Sequence, residues 1–396
     1  MRSALIMIML GIAAGKYMEL PVSNIQAAYI LLALLFLAAL LRRWGRVASV
    51  LVVVSLFVLG VFLIKSSEGS SGRYVPYFDD AVSMMGEERK DLTAKYAEQG
   101  LEDETYDIVA AMTLGEKKGI DKETRKAFSA SGGAHILALS GMHLSILFML
   151  ISFLLPTRRF PKLSVVAEMI AVWAFVMLVG FHPSVTRAAV MLTIYCVARM
   201  MSRNTRSMDV LIDSAVLLLV ISPQWLFDVG FQMSFAAMTG ILMLYGPIYR
   251  FLTYRREDDL PPSIWVEFFR ACYNCIVGVA VISFTAQLGV APLVAHYFGN
   301  FPTYFLLTNF IVTPAAFLII ILAAGLLAGI PLQAPLSAVV QGMSASLQWI
   351  TNLPCSSLEV RLSAWQTVLV YVIIIAVCRL VALCVRKTDR FLRMMP

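Results

Sequence analysis

Long apolar runs recur through most of the sequence, and this pattern constrains the fold more than any other feature. Runs of about 17 to 25 apolar residues, the length that crosses bilayer hydrocarbon, continue to Cys384 with one long polar interruption. We count about twelve such runs, two of them weak. With 59% hydrophobic and 14% charged residues, the chain is too apolar for a soluble globule. The sequence therefore predicts an all-α, polytopic transmembrane helical bundle of about 10–12 spans with a short outer helical segment.

Basic residues cluster on alternate connections between the apolar runs, which predicts the orientation of the chain. The clusters are Arg42, Arg43 and Arg46; Arg158, Arg159 and Lys162; Arg199, Arg203 and Arg206; Arg250, Arg255 and Arg256; and Arg386, Lys387, Arg390 and Arg393. Positively charged loops stay in the cytoplasm, so both termini are predicted to be cytoplasmic. The chain itself is predicted to span the cell (inner) membrane several times. The first apolar run lacks a clear cleavage site, and we expect it to remain as a signal-anchor.

The polar interruption divides the chain into predicted segments. These are N-terminal spans at 1–64, an extracytoplasmic linker with amphipathic helices at 65–133, a transmembrane domain at 134–385 and a basic cytoplasmic tail at 386–396. Within the second segment, residues 66–72 read as a flexible linker, 79–99 and 102–112 as surface helices, and 116–126 as a solvated face or a lid. Ten basic and fourteen acidic residues lie between Lys65 and Ala134, whereas a surface that captures polyphosphate is more often basic.

The segment 131–145 places two histidines, a serine and a glycine at the mouth of an apolar run. On one continuous helix His143 lies roughly 80° round from His135, so both rings face one pocket only if the helix breaks at Ser140 and Gly141. Polar groups of this kind in a span usually face a cavity or a partner. The alternative is that both histidines bond to neighbouring helices and hold the bundle together.

An alternative hypothesis is that Ser140 acts as a nucleophile. Its surroundings are close to the glycine-x-serine-glycine motif of rhomboid-type intramembrane proteases, which pair the serine with a histidine on another helix. His182 and His296 are available partners, but Ala138 replaces the first glycine and the other rhomboid landmarks are absent.

Asp228 and Gln232 are four residues apart, which predicts that they share one helical face near the outer end of a span. An acid there is costly unless it meets water or a cation, and Arg187 is a candidate counter-ion as well as a candidate phosphate contact. A purely structural Asp228–Arg187 pair and a role in a pore remain equal alternatives.

Small and polar residues continue in the later spans. Gln287 and His296 flank Pro292, and Asn309 follows on the next span, a composition typical of closely packed membrane helices. Pro183, Pro292 and Pro314 are candidates for breaks at membrane depth, which are tolerated where the freed backbone lines a cavity. Glu168, Asp209 and Asp213 are weaker candidates, because the last two lie near arginines that they would neutralise.

Signatures of enzymatic chemistry are missing from the sequence. It contains no H-E-x-x-H motif and no Walker A motif, and its four dispersed histidines do not suit a two-metal site. The six cysteines imply no disulfide framework, and Cys272 and Cys275 read as small residues on a helix. We therefore expect no enzyme activity, no cofactor and no bound metal.

In their order, four blocks resemble the ComEC-type competence family, the inner-membrane channel for transforming DNA. The blocks are 135–143 (HILALSGMH), 183–188 (PSVTRA), 223–235 (PQWLFDVGFQMSF) and 286–299 with Asn309. The resemblance covers almost the whole membrane domain of that family. It implies an inner-membrane channel for uptake of single-stranded DNA during natural transformation. It also implies a set of channel-lining or gating residues, namely His135, Ser140, His143, Arg187, Asp228, Gln232, Gln287 and Asn309.

Two parts that are usual in this family, an outer OB-type domain and a C-terminal metallo-β-lactamase-like domain, have no counterpart in the sequence. We therefore expect the channel alone, in contact with single-stranded DNA and the lipid bilayer. A DNA receptor, a nuclease and a cytoplasmic translocation ATPase would be separate proteins, and a homo-oligomer is a further candidate assembly. The alternatives are a small-solute or proton-coupled transporter without a DNA substrate and a structural membrane scaffold.

Overall fold

A computed structural model describes residues 2–18, 23–41, 43–67, 79–137, 139–155, 159–201, 206–253 and 264–392. The described residues form sixteen α-helices, one 3-10 helix and two short strands. The first half holds α1 (Arg2–Tyr17), α2 (Asn24–Leu40), α3 (Gly45–Ser67), α4 (Asp79–Glu98), α5 (Asp103–Leu114), α6 (Lys122–Ala130), α7 (Ala134–Leu137), α8 (Gly141–Leu154), α9 (Pro161–Leu178) and α10 (Pro183–Met200). The second half holds α11 (Ser207–Ile221), the 3-10 helix (Pro223–Phe227), α12 (Val229–Leu252), α13 (Ile264–Tyr297), β1 (Asn300–Pro302), α14 (Phe305–Leu327), α15 (Gln333–Thr351), β2 (Ser357–Glu359) and α16 (Ala364–Leu392).

The predicted all-α class is confirmed, because strands occupy six of the described residues. Among the described helices, five are long and apolar enough to cross a membrane, namely α3, α9, α12, α13 and α14. Shorter apolar helices lie at Ser3–Tyr17, Asn24–Leu40, Gly141–Leu154 and Ala364–Arg379. Large aliphatic and aromatic side chains on these helices are exposed, such as Phe36 and Phe153, as expected where lipid is the solvent. The chain is a membrane protein, and the count of 10–12 spans stays a prediction.

The chain divides into two compact units, the first being Met1–Gly86 with Ile151–Gln232. In this unit α1 packs on α3, and small residues allow the close approach. A β-carbon on Gly11 would collide with the Phe57 carbonyl oxygen, and one on Gly60 with the Ile8 carbonyl oxygen. The 3-10 helix contacts α1, α3 and α11, and α10 lies between α9 and α11.

The α9–α10 contact of the first unit includes a buried ion pair. The Glu168 carboxylate accepts a hydrogen bond from the Arg199 guanidinium at 3.1 Å. Glu168 is fully buried, and its Oε1 has no hydrogen-bond partner. The guanidinium partly compensates the cost of burying this carboxylate.

The second unit is Glu87–Leu150 with Met233–Pro396. Its α14 and α15 form a helical hairpin that packs against α5, and α13 contacts both α14 and α16. The two strands pair antiparallel with Phe301 opposite Leu358, joining the segment after α13 to the segment before α16. Gly240 on α12 and Gly289 on α13 allow a second close helix approach, because a β-carbon on either would collide with backbone of the other helix.

The structure corrects the expectation for one of the surface helices. Helix α5 is an internal element, with Ile108, Val109 and Met112 fully buried, because its charged residues are confined to the first turn and Asp107. Pro183 is the first residue of α10 and does not break a helix, whereas Pro292 and Pro314 lie inside α13 and α14. Proline suits the first turn of a helix, where its missing N–H has no partner to lose.

Some predictions fall outside the described residues. They concern linker residues 68–72 and the basic residues Arg42, Arg158, Arg203, Arg255, Arg256 and Arg393. Ala138, between α7 and α8, also lies outside.

Candidate functional site

Arg187 is a buried cation one turn into α10. Its side chain is 5% exposed and its Nη1 lies 3.6 Å from Oδ1 of Asp228, whose side chain is 49% exposed. A buried arginine is costly unless a carboxylate or hydrogen bonds compensate it. The turn before α10 is strained at Phe181, a bulky residue with a positive φ of 53°. The predicted Arg187–Asp228 pair is therefore present, and it joins α10 to the start of α12.

Asp228 precedes α12 and caps it. Its Oδ1 accepts a hydrogen bond from the Phe231 N–H at 2.7 Å, and its carbonyl accepts from the Gln232 N–H at 3.1 Å. Such a cap satisfies N–H groups that have no partner within the helix. Asp228 is therefore the residue immediately before the helix, which begins at Val229, and Gln232 lies one helical turn after it.

Gly230 leaves space for the ion pair, and the sequence analysis missed it. A β-carbon at this position would lie 3.2 Å from Asp228 Oδ1 and 3.3 Å from Arg187 Nη2. The signal was available in the sequence as a glycine two residues after the acid. Gln232 lies one turn into the helix, and its Nε2 donates to the Leu226 carbonyl at 2.9 Å. We call Arg187, Asp228, Gly230 and Gln232 the Arg187 cluster.

A second group of residues lies beside the Arg187 cluster and was also missed. The Lys16 ammonium lies 3.7 Å from the centroid of the Phe227 ring, and the Tyr17 ring meets Phe227 edge-on at 5.5 Å. Gln224 Nε2 donates to the Ser67 carbonyl at 3.4 Å, which joins the 3-10 helix to the end of α3. A cavity of about 330 Å³ is lined by Lys16, Ile64, Gln224, Phe227 and Asp228. No local motif could reveal this group, because its members are up to 212 residues apart.

The second unit contains the predicted helix break, between α7 and α8. Ser140 precedes Gly141, and its Oγ lies 2.8 Å from Nδ1 of His143 while its N–H donates to the same nitrogen at 3.2 Å. His143 occupies the third position of α8 and bonds back to the residue before the helix, as glutamate or glutamine does in a capping box. We call Leu139 and Ser140, together with His143, the Ser140 break.

His143 keeps one ring nitrogen without a partner. Its side chain is 2% exposed, and Nε2 makes no hydrogen bond. Because Nδ1 accepts from the Ser140 N–H, the neutral ring carries its proton on Nε2, which leaves a buried donor unsatisfied. The Nδ1 of His135 lies 3.0 Å from the Gly132 carbonyl of its own turn.

The remaining predicted residues lie on α13 and α14. Gln287 and Asn309 are half-buried, and in the described part of the chain neither amide has a hydrogen-bond partner. His296 is bound to the Leu362 carbonyl through Nδ1 at 2.8 Å. Within the second unit, therefore, Ser140 pairs with His143 and not with His296, which removes one of the two partners considered for a protease. Among the described residues, no three histidine, cysteine or acidic side chains converge to hold a metal ion.

An acidic surface surrounds the start of α5. Asp103, Glu104, Asp107 and Asp121 line a cavity of about 290 Å³. Burial, followed by the charges of Asp121 and Asp103, raises the pKa of Asp107, while hydrogen bonds from Thr124 lower the pKa of Asp121. The negative charge of these carboxylates would repel a polyanion, so this surface does not suit one.

Glu104 has a structural role at this surface that the sequence did not indicate. Its Oε1 accepts hydrogen bonds from the hydroxyls of Thr124 and Ser344, each at 3.1 Å. These bonds link α5 to α6 and to α15. Lys117, nearby on the loop, has its pKa lowered by burial and by Arg125.

Known proteins match part of this chain. The family model described as competence protein matches residues 112–384. ComE operon protein 3 of Bacillus subtilis (strain 168) is 29% identical over 211 residues, which are 52% of this chain and 24% of that protein. An uncharacterized protein of Aquifex aeolicus (strain VF5) is 29% identical over 154 residues, 39% of this chain and 37% of that protein. The chain therefore matches well under half the length of these relatives. No solved structure matches it.

Proposed function

Because the chain belongs to the competence protein family, whose model matches residues 112–384, we propose that it is a channel for single-stranded DNA in the inner membrane during natural transformation. Its activity is transport without bond chemistry. The ComE operon protein that it resembles supports a role in competence. Single-stranded DNA is the substrate, and the receptor, nuclease and pulling ATPase are separate partners.

The observation that carries the proposal is the Arg187 cluster. A buried guanidinium is held against a carboxylate that is half exposed, so a positive charge lies directly behind the cavity wall to which Asp228 contributes. A phosphate backbone passing this point meets a fixed cation and capped helix ends, which replace part of its hydration. Within the second unit, the unpaired amides of Gln287 and Asn309 are polar groups on the apolar helices α13 and α14.

The test is uptake of labelled DNA, together with transformation frequency, in cells that carry the intact chain, a deletion or single variants. Arg187→Gln should abolish most of the uptake while the protein still inserts. The matched control is Arg199→Gln, because Arg199 lies on the same helix and also pairs with a carboxylate, Glu168. Loss of DNA uptake in Arg187→Gln but not in Arg199→Gln supports the proposed channel. Unchanged DNA uptake after deletion of the whole chain would contradict it.

A small-solute or proton-coupled transporter is the second candidate. The observation that favours it is the buried, unsatisfied Nε2 of His143, since such groups are used in proton relays. Proton coupling predicts solute uptake that collapses when the proton gradient is dissipated and in His143→Gln. DNA uptake that continues without the gradient but stops in Arg187→Gln excludes this candidate.

A further inference from the structure

The cavity beside the Arg187 cluster has the parts of a site for one nucleotide. Its five lining residues combine a cation, an amide, a carboxylate, an aromatic ring and an aliphatic side chain. Its volume of about 330 Å³ is at the small end of the range for ligand sites. One nucleotide of a single strand fits a cavity of this size, whereas a base pair of a duplex does not.

The charges in this cavity leave one cation available. Asp228 already faces Arg187 and accepts the Phe231 N–H. Lys16 is exposed at the end of α1 and makes no ion pair with a carboxylate in the described residues. The Phe227 ring holds its ammonium at the rim by a cation–π contact of 3.7 Å, and the three N–H donors can still bind an anion.

The aromatic residues supply the second element of recognition. Tyr17 is 73% exposed and meets Phe227 in a T-shaped contact with an interplanar angle of 87°, and the Lys16 ammonium lies 6.0 Å from the centroid of its ring. Aromatic faces stack nucleobases without regard to sequence. A lipid headgroup offers a phosphate to Lys16 but no flat base to Tyr17.

We propose that Lys16, Tyr17 and Phe227 form a nucleotide subsite, in which Lys16 binds a backbone phosphate and Tyr17 stacks on the adjoining base. The inference rests on the proposed function, because it takes a single DNA strand as the substrate. It adds a specific contact to that function, since the subsite receives the strand immediately beside the Arg187 cluster. Phe227 positions both Lys16 and Tyr17.

The experiment measures binding of a fluorescently labelled single-stranded oligonucleotide to the full chain in nanodiscs of neutral phosphatidylcholine, over a salt series. Tyr17→Leu should weaken binding about tenfold, and Tyr17→Phe should restore it because the ring remains. Lys16→Gln should weaken binding and reduce the salt slope by about 0.7, the value for one phosphate contact on a single strand. The matched controls are Tyr29→Leu, an exposed tyrosine on α2, and Lys162→Gln at the start of α9.

The outcomes separate this subsite from the function on which it rests. If the intact chain does not bind the oligonucleotide, the DNA channel fails and the subsite fails with it. If the intact chain binds and Arg187→Gln weakens binding while Lys16 and Tyr17 variants do not, only the subsite is overturned. A parallel series purifies the variants from membranes that contain phosphatidylglycerol. If Lys16→Gln and Tyr17→Leu alter the amount of this lipid that stays bound but not the binding of the oligonucleotide, the two residues are a membrane-interface anchor and the subsite is likewise overturned.

Discussion

Asp228 combines two interactions in one carboxylate. It faces the buried Arg187 guanidinium and caps α12 through the Phe231 N–H. The charge matters for the first interaction, whereas any side-chain oxygen acceptor serves the second. Substitutions that keep the acceptor and remove the charge therefore separate channel electrostatics from helix stability.

We expect Asp228→Asn to preserve the cap and Asp228→Ala to lose it. The alanine variant should be less stable than the asparagine variant by about 1 kcal/mol, the usual value of a helix cap. Thermal unfolding in detergent measures this difference. DNA uptake should fall in both variants, because both lose the carboxylate against which the buried Arg187 guanidinium is held. Equal stability of the two variants would show that the cap contributes nothing.

Tyr96 gives a prediction on pH dependence at the residue scale. It is fully buried on α4, its hydroxyl lies 3.3 Å from Thr113 Oγ1, and burial raises its pKa to about 12. The folded state disfavours the ionised phenol, so this contribution to stability is complete below about pH 10 and is lost as the pH rises toward 12.

The corresponding variant is Tyr96→Phe, which removes the titrating group. Between about pH 9 and 11, its free energy of unfolding should fall less steeply with pH than that of the intact chain. The exposed Tyr29→Phe serves as the control and should follow the intact chain. The same pH slope in both variants would contradict the assignment to Tyr96.

At the scale of elements, the closest helix contacts depend on glycines, which have no side chain to keep two backbones apart. Gly289 on α13 and Gly240 on α12 bring the two backbones together, and the Tyr371 hydroxyl of α16 donates to the Gly289 carbonyl at 2.7 Å. Small residues at such crossings replace the hydrophobic driving force that lipid does not provide. Pro292 lies in the same helix, one turn beyond this contact.

Two glycine-to-alanine variants should therefore change stability in opposite directions. Gly289→Ala places a methyl group against the Ala236 carbonyl oxygen and should destabilise the protein by about 1–3 kcal/mol. Gly342→Ala on α15 meets nothing within 4 Å and should stabilise by about 0.5–1 kcal/mol, since alanine favours the helix. Unfolding midpoints in detergent distinguish them. An unchanged unfolding midpoint in Gly289→Ala would mean that α12 and α13 can move apart with little loss of stability.

At the scale of the whole molecule, the sequence predicted the helices and one ion pair, but it did not predict most of the contacts between distant segments. The apolar runs predicted the helices, and the need to compensate a charge in lipid predicted the Arg187–Asp228 pair. The helix break was predicted from Ser140 and Gly141, but not the bond of Ser140 to His143. The Lys16–Phe227 contact and the Glu104–Ser344 bond join residues more than 200 positions apart, where periodicity carries no information.

The predicted orientation places Cys355, in the loop between α15 and β2, outside the cell. Its side chain is exposed. In intact cells a membrane-impermeant maleimide should label Cys355 in a chain that retains this cysteine alone. Lys162→Cys in a cysteine-free chain is the control, and it should react only after the cells are made permeable. The reverse pattern would invert the orientation and exclude uptake in the proposed direction.

Helix α13 has 34 residues and therefore extends about 51 Å, whereas the hydrocarbon layer is about 30 Å thick. Even at about 40° from the membrane normal, the upper end of observed tilts, the helix is longer than the layer. Its far end is held by the Leu362 carbonyl, so the excess length falls at the Trp265 end, where Phe268 and Phe269 are also exposed. In the predicted orientation this is the cytoplasmic end of the helix, so we expect it to project into the headgroup region and to offer the proposed motor a docking surface outside the lipid.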